Sequence, residues 1–494
     1  MSKYILAKCA TVLAICLFLL SSSSCSTISS YDDGKIPITT SSEKAREYYL
    51  QGQELADKFR AQESIRYFEK AVAEDPDFAL AYLRLSFVAP STKEFFDHFN
   101  KAQTLANKVS EGERLLILSF DAAVNGEPMK QRELLTKLVT TYPNDERVHN
   151  ILADHYSGQQ EYELAIEERK KAIEINPNFS PPYNMMGYNY RSLGNYSEAE
   201  EAFKKYIELI PDDPNPYDSY AELLLKMGKY DASIDSYQKA LEINPNFVFS
   251  HVGIATNLCF KGEHQQARDQ LQKFYDMAHD DGERRTALFA RAVIYVDEGK
   301  TEMALEELNK QYTLADKIND AVAMSGDLGT MANILLEAGK FDEAMAKFEK
   351  SLLLIEKSDL SQKIKENVKR GHLFNTARVA LMKGDFTTAK AKSEEYHRQA
   401  EVLKNSSQIR SAHQLAGMIA LEEKDYDKAL EELHQANQQN SYNLYRISLA
   451  YQGKGDSGKA KEFCMRTINF NALNSLNHCF AKKKAERMLA AMTY

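Results

Sequence analysis

The stretch that decides the fold is "SLGNYSEAEEAFKKYIELIPDDP", Ser192 to Pro214, because "KMGKYDASIDSYQKALEINPNFV", Lys226 to Val248, repeats its punctuation one 34-residue step later. Glycine recurs (Gly194, Gly228), as do an aromatic two places on (Tyr196, Tyr230), a second aromatic seven further (Phe203, Tyr237) and a proline (Pro211, Pro245). Nearly every charged residue between them changes. A chain that keeps small, aromatic and proline positions while releasing the rest repeats a packing unit and not a catalytic site.

Read outward, the prolines form a comb: Pro143, Pro177, Pro211 and Pro245 stand 34 apart, and Pro76 lies 67 before Pro143. Between prolines run two apolar segments of 3.6-residue period around a glycine, which is the pattern of a helical hairpin. A left-handed backbone at that glycine lets the first helix reverse, and the proline ends the second helix. Later turns fall at Gly262, Gly299, Gly339, Gly384, Lys424 and Gly455; from Gly299 the spacing stretches to about 40 and the proline disappears, which predicts longer helices or longer links. Residues 44–282 therefore read as a regular 34-residue array, 283–470 as degenerate and longer hairpins, and 471–494 as a single helix that caps the last apolar face. The expected fold is all-α, about 12 hairpins in one solenoid.

Bulk composition agrees. The chain has 44% hydrophobic and 27% charged residues, a globular balance, with 21 Gly, 12 Pro and no Trp in 494 residues. Its net charge of -9, with no basic stripe, argues against a nucleic-acid binder, since phosphates demand concentrated Lys and Arg. Residues 1–25 differ in kind: Lys3 and Lys8, the apolar run Ala10 to Leu20, then small residues ending at Cys25. That order is a secretory signal, and the run is about half the roughly 20 residues needed to span a bilayer. It resembles a bacterial lipoprotein signal, which implies that Cys25 is lipidated and anchors the chain to the membrane, although Ser22 stands where an aliphatic residue is usual. Ordinary cleavage near Ser24 is the alternative. Residues 26–43 read as a flexible tether.

The small, Tyr, Gly, Tyr, Ala, aromatic and Pro positions of the central units (Gly187, Tyr190, Gly194, Tyr196, Ala199, Phe203, Pro211; then Ala221, Gly228, Tyr230, Tyr237, Ala240, Pro245) resemble the tetratricopeptide repeat, with Tyr206 and Ser233 departing from the usual alanine. The resemblance implies a right-handed superhelix (α-solenoid) whose first helices line a concave groove. It places Asn150, Asp154, Asn184, Tyr188, Arg191, Asp218, Glu222 and Lys226 on that groove as candidate partner-binding residues, suited to an extended peptide. Acidic Asp154, Asp218 and Glu222 argue against a chaperone-tail clamp of lysines and asparagines and for a basic or amide-rich segment.

Other motifs carry little. "GKGDSG" (Gly453 to Gly458) follows a helix in repeat register, where a dinucleotide loop must follow a strand. "GKT" at Gly299 lacks the earlier glycine of a phosphate loop and is a repeat turn. No HExxH and no histidine pair with a cysteine pair is present, so no metal ligands and no cofactor are expected. Cys464 and Cys479 are either a disulfide between the last hairpin and its cap or two buried thiols. No catalytic triad or carboxylate dyad stands out. The function expected is a non-catalytic protein-protein interaction scaffold of the bacterial cell envelope, on the outer membrane or in the periplasm, holding a protein or peptide in the groove. The alternative is a glycan-binding helical lipoprotein of a nutrient-uptake system, against which the lack of Trp platforms counts.

Overall fold

The computed structural model describes residues 34–492. The signal, Cys25 and the first part of the expected tether lie outside the described residues. Among the described residues the regular structure is helical, without strands, and no helix is long and apolar enough to cross a membrane.

The regular half consists of α1 (Glu43–Asp57), α2 (Ala61–Glu74), α3 (Ala79–Phe87), α4 (Thr92–Leu105), α5 (Glu111–Val124), α6 (Pro128–Thr141), α7 (Glu146–Gly158), α8 (Tyr162–Ile175), α9 (Pro181–Leu193), α10 (Tyr196–Leu209), α11 (Pro214–Lys226), α12 (Tyr230–Ile243), α13 (Ser250–Phe260) and α14 (His264–Met277). The longer half consists of α15 (Asp281–Glu298), α16 (Thr301–Lys317), α17 (Ala321–Glu337), α18 (Phe341–Lys357), α19 (Gln362–Met382), α20 (Phe386–Leu403), α21 (Ser406–Glu422), α22 (Tyr426–Gln435), α23 (Ser441–Gly453), α24 (Ser457–Ile468) and the unpaired α25 (Leu476–Met492). Each odd helix pairs with the even one after it, and each even helix packs on the next odd one. From α7 to α15 and from α19 to α23 the odd helices also touch the next odd helix, as α9 does α11 and α21 does α23, so they lie on the inside of the curve.

Local chemistry sets the reversals. Gly194, Gly228, Gly262 and Gly299 hold φ between 74° and 83°, where a Cβ is disfavoured. Phe59, Gln160 and Lys424 adopt the same conformation without glycine, so the hairpin geometry prevails over residue preference there. Asn176 and Asn244, each before a proline, are extended, as the proline ring demands. The kept small and aromatic positions are one contact: a Cβ on Gly187 falls 2.6 Å from the Phe203 ring, and Ala221 shares a core with Tyr237. From α15 to α21 the stretched spacing is taken up mainly by helix, with lengths of 17 to 21 residues against 13 or 14 in α5 to α12.

Two features depart from expectation. Residues 34–42, expected within a flexible tether, lie extended across the links of the first hairpins. Ile36 N donates to Asp145 (3.0 Å), Thr39 N to Glu113 (2.9 Å) and Ser41 N to Asp75 (2.8 Å), while Ile36 and Ile38 pack on the N-terminal core. Alternate apolar residues, with carboxylates from two links (Asp75, Asp145) and from the first turn of α5 (Glu113), make this a strap. The second feature is that the solenoid coils back on itself. Turns within early hairpins meet links between late ones: Gln62 with Asp280, Thr92 with Asp320, Glu127 with Lys363, Ser192 with Gln439 and Lys226 with Phe470. These partners are 218 to 247 residues apart, a nearly constant offset, so one superhelical turn sits on the next. The cap α25 packs on α23 and α24 and also reaches α15. Cys464 and Cys479 are two buried free thiols, the former beside Ser448 and the latter facing the Val293 carbonyl.

Candidate functional site

The inner wall is built by odd helices, and the structure sorts the eight groove candidates into separate groups. Tyr188, Arg191 and Glu222 meet: the Tyr188 hydroxyl donates to Glu222 at 3.1 Å, Arg191 donates to the other Glu222 oxygen at 3.0 Å, and the guanidinium lies 4.6 Å from the Tyr188 ring centre. Asp218, one helical turn before Glu222, accepts from Ser250 Oγ on α13 at 2.5 Å. The enclosing wall and the Glu222 charge hold the Asp218 carboxyl up at about 7 and push the Tyr188 phenol well above its ordinary value.

The other four candidates go elsewhere. Asp154 pairs at 2.6 Å with Arg169, a fully buried guanidinium reaching in from α8. Arg169 occupies the register slot filled 34 and 68 residues later by Phe203 and Tyr237. That charged residue in an aromatic slot was the legible sign of a polar core contact. Asn184 is buried against Asn215, and the buried carbonyl oxygens of Asn150 and Asn184 have no hydrogen-bond donor. Lys226 is engaged by Phe470 of the next superhelical turn. The acidic rows thus have counter-charges and donors within the chain: Arg169 for Asp154, Arg191 for Glu222 and Ser250 for Asp218.

A different stretch of the same wall is open. Where α15, α17, α19, α21 and α23 curve toward the start of α25, they enclose a cavity of about 660 Å³. Its walls carry three guanidiniums, Arg378 on α19, Arg410 on α21, which donates to the Gln159 carbonyl at 3.2 Å, and Arg446 on α23. Arg446 is 8% exposed, stacks 4.1 Å from the Tyr442 ring centre and donates to Asn443 at 2.8 Å. Arg378 donates to Asn333 at 2.8 Å while its buried Nε has no acceptor. Burial and the neighbouring Arg446 charge lower Arg378 to about 10. Glu337, the carboxylate at hand, is already taken by the Tyr442 hydroxyl at 2.9 Å and Lys484 at 2.7 Å. Gln414, Asn437 and Asn440 add amides, and Phe289, Phe374 and Phe480 supply apolar wall. Positive groups therefore outnumber negative ones in a secluded, amide-rimmed space, an arrangement that favours an anionic group on a ligand. Periodicity could not reveal it, because it lies in the hairpins whose spacing has drifted.

Residues 43–78, 146–179, 180–213 and 221–247 match models of the tetratricopeptide repeat, so the chain carries such repeats at these places. No curated protein matches the chain in sequence. Among solved structures it is similar to a tetratricopeptide repeat protein from Parabacteroides merdae, at 17% identity over 55% of this chain and 94% of that one, with a TM-score of 0.35. It is also similar to the Cut9-Hcn1 hetero-tetramer of APC/C, at 15% identity over 85% of this chain and 76% of that one, with a TM-score of 0.41.

Proposed function

We propose that this tetratricopeptide-repeat chain is a non-catalytic scaffold of the bacterial cell envelope, held to a membrane through a lipid on Cys25, that binds a segment of a protein partner against its concave inner wall. The observation that carries the binding mode is that Arg378 and Arg446, with Arg410 beside them, line one cavity whose single carboxylate is already spoken for. An extended segment with an acidic side chain or a terminal carboxylate meets both needs of this space: charge for the guanidiniums, and backbone groups for the amides of Gln414, Asn437 and Asn440. The signal-like residues 1–25 support the envelope location.

The test is affinity capture from envelope extracts with tagged mature protein, comparing the wild type with Arg378→Gln and Arg446→Gln. Partners recovered by the wild type and lost from both variants, with unchanged helical circular dichroism, support the reading. Equal recovery by all three overturns the assignment of the cavity.

A further inference from the structure

Away from the inner-wall cavity, three ligand-bearing side chains converge where α13 turns into α14. Cys259 sits at the end of α13, His264 opens α14, and Asp297 lies near the end of α15. Their donor atoms, a thiol sulfur, a ring nitrogen and a carboxylate oxygen, all lie within 4.8 Å of one another, and His264 Nε2 is 2.8 Å from Asp297 Oδ2. Among the described residues no other three His, Cys, Asp or Glu side chains come together in this way. We infer that Cys259, His264 and Asp297 form a binding site for a divalent transition-metal ion of the zinc type, at the place where the cap helix α25 meets α13 and α15.

The spacing fits the chemistry. Zinc holds sulfur at about 2.3 Å and imidazole nitrogen or carboxylate oxygen at about 2.0 to 2.2 Å, so tetrahedral ligand atoms stand roughly 3.3 to 3.7 Å apart. The three atoms reach that arrangement by shifts of about an ångström or less, with the His264–Asp297 hydrogen bond opening and the sulfur drawing in. Thiolate, imidazole and carboxylate together suit zinc or cobalt(II) better than magnesium or calcium, which take oxygen ligands.

The surroundings point the same way. Cys259 is 4% and Asp297 8% exposed, so a thiol and a carboxylate share a buried place with one imidazole beside them. His264 is 24% exposed and gives an ion a way in.

A second observation comes from α25. His478 is fully buried, neither of its ring nitrogens has a hydrogen-bond partner, and its ring meets Phe260, the neighbour of Cys259, at 5.3 Å. The next residue, Cys479, is buried with only a distant carbonyl, Val293 O, at 3.9 Å from its sulfur. Unsatisfied donors and acceptors at such a junction are uncommon unless something else completes them. An ion held by the three ligands, with its remaining position turned to water or to Cys479, supplies a positive centre there and ties two successive hairpins together under the cap.

The experiment uses the mature chain with a tag free of histidine, reduced and freed of metal with a chelator, then titrated with cobalt(II). The expected result is a stoichiometric rise of thiolate-to-cobalt charge-transfer absorption with visible bands of tetrahedral intensity, displaced by zinc, and a zinc-dependent increase in Tm. Cys259→Ser removes the charge-transfer band, whereas Asp297→Asn keeps it and weakens cobalt binding by about tenfold or more. Circular dichroism on each variant separates loss of binding from loss of fold. Loss of the band in Cys479→Ser as well extends the ligand set to α25 and supports the site. Absence of thiolate-to-cobalt absorption in the wild type overturns the proposal, as does its survival in a folded Cys259→Ser variant.

Discussion

Lys226 Nζ donates to the carbonyl oxygen of Phe470 at 2.6 Å and stands 3.4 Å from the centre of the same residue's ring, although the two residues are 244 positions apart. One side chain at the end of α11 thereby closes a contact between successive turns of the superhelix. Neighbouring Tyr230 reinforces it by donating to Asn471 at 2.9 Å.

Lys226→Met keeps the aliphatic stem and removes the ammonium. It is expected to lower stability by about 1 kcal/mol, the scale of one hydrogen bond, because burial and the Arg191 charge hold the amine down at about 7 and leave only part of it cationic at neutral pH. Faster amide exchange should appear in α24 and α25 and not in α1 to α4. Hydrogen exchange with mass spectrometry checks the location.

Asp218, held up at about 7 by burial and by Glu222, keeps its proton in the folded chain between about pH 4 and 7, where the unfolded chain releases it. Its contribution to stability is therefore fully present below the unfolded value and lost as pH rises toward 7. His155, lowered to about 4 by burial and by Arg132, works in the opposite direction between pH 4 and 6.5, because there the unfolded chain binds the extra proton. A comparison of wild type with Asp218→Asn isolates the first effect. Urea midpoints should nearly coincide at pH 4, and the variant should be the more stable at pH 8.

Gly187→Ala directs a methyl group to 2.6 Å from the Phe203 ring, and Gly253→Ala directs one to 2.0 Å from the Tyr237 ring. Both aromatics are buried, so neither can swing away cheaply. Each variant should lose about 1–3 kcal/mol in chemical unfolding, the range for overpacking. Gly158→Ala, which meets nothing within 4 Å, serves as the quiet control.

Glu113 is fully buried and accepts from the backbone N–H groups of Thr39 (2.9 Å) and Ser110 (2.9 Å). Glu113→Ala strands those donors and frees the strap, at an expected cost of roughly 1–3 kcal/mol. Limited proteolysis should cut the variant between residues 34 and 42 while leaving the wild type whole.

Cys25 lies outside the described residues, and its lipidation is a prediction from sequence. Labelled palmitate should enter the wild type and not Cys25→Ala, and that variant should leave the membrane fraction. Equal labelling of the two proteins would remove the anchor.

What the sequence determined by itself was the hairpin and its repetition. Gly194, Phe203 and Pro211 act on residues within a few turns of helix or on the adjoining helix, so their spacing is the spacing of the contacts they make, and a reader of one dimension can see it. Gly187 against Phe203 is such a contact. Arg169 stands in the slot of an aromatic, but its pairing with Asp154 came from the structure. What only the tertiary structure decided is what lies across superhelical turns and on the drifted inner wall: Lys226 on Phe470, Arg378 and Arg446 in one cavity, Cys259 and His264 meeting Asp297 beneath α25. These meetings depend on the sum of small rotations between successive hairpins, and no single unit encodes that sum. A difference of a few degrees at each step carries Phe470 away from Lys226 while leaving every local pattern in the sequence as it is.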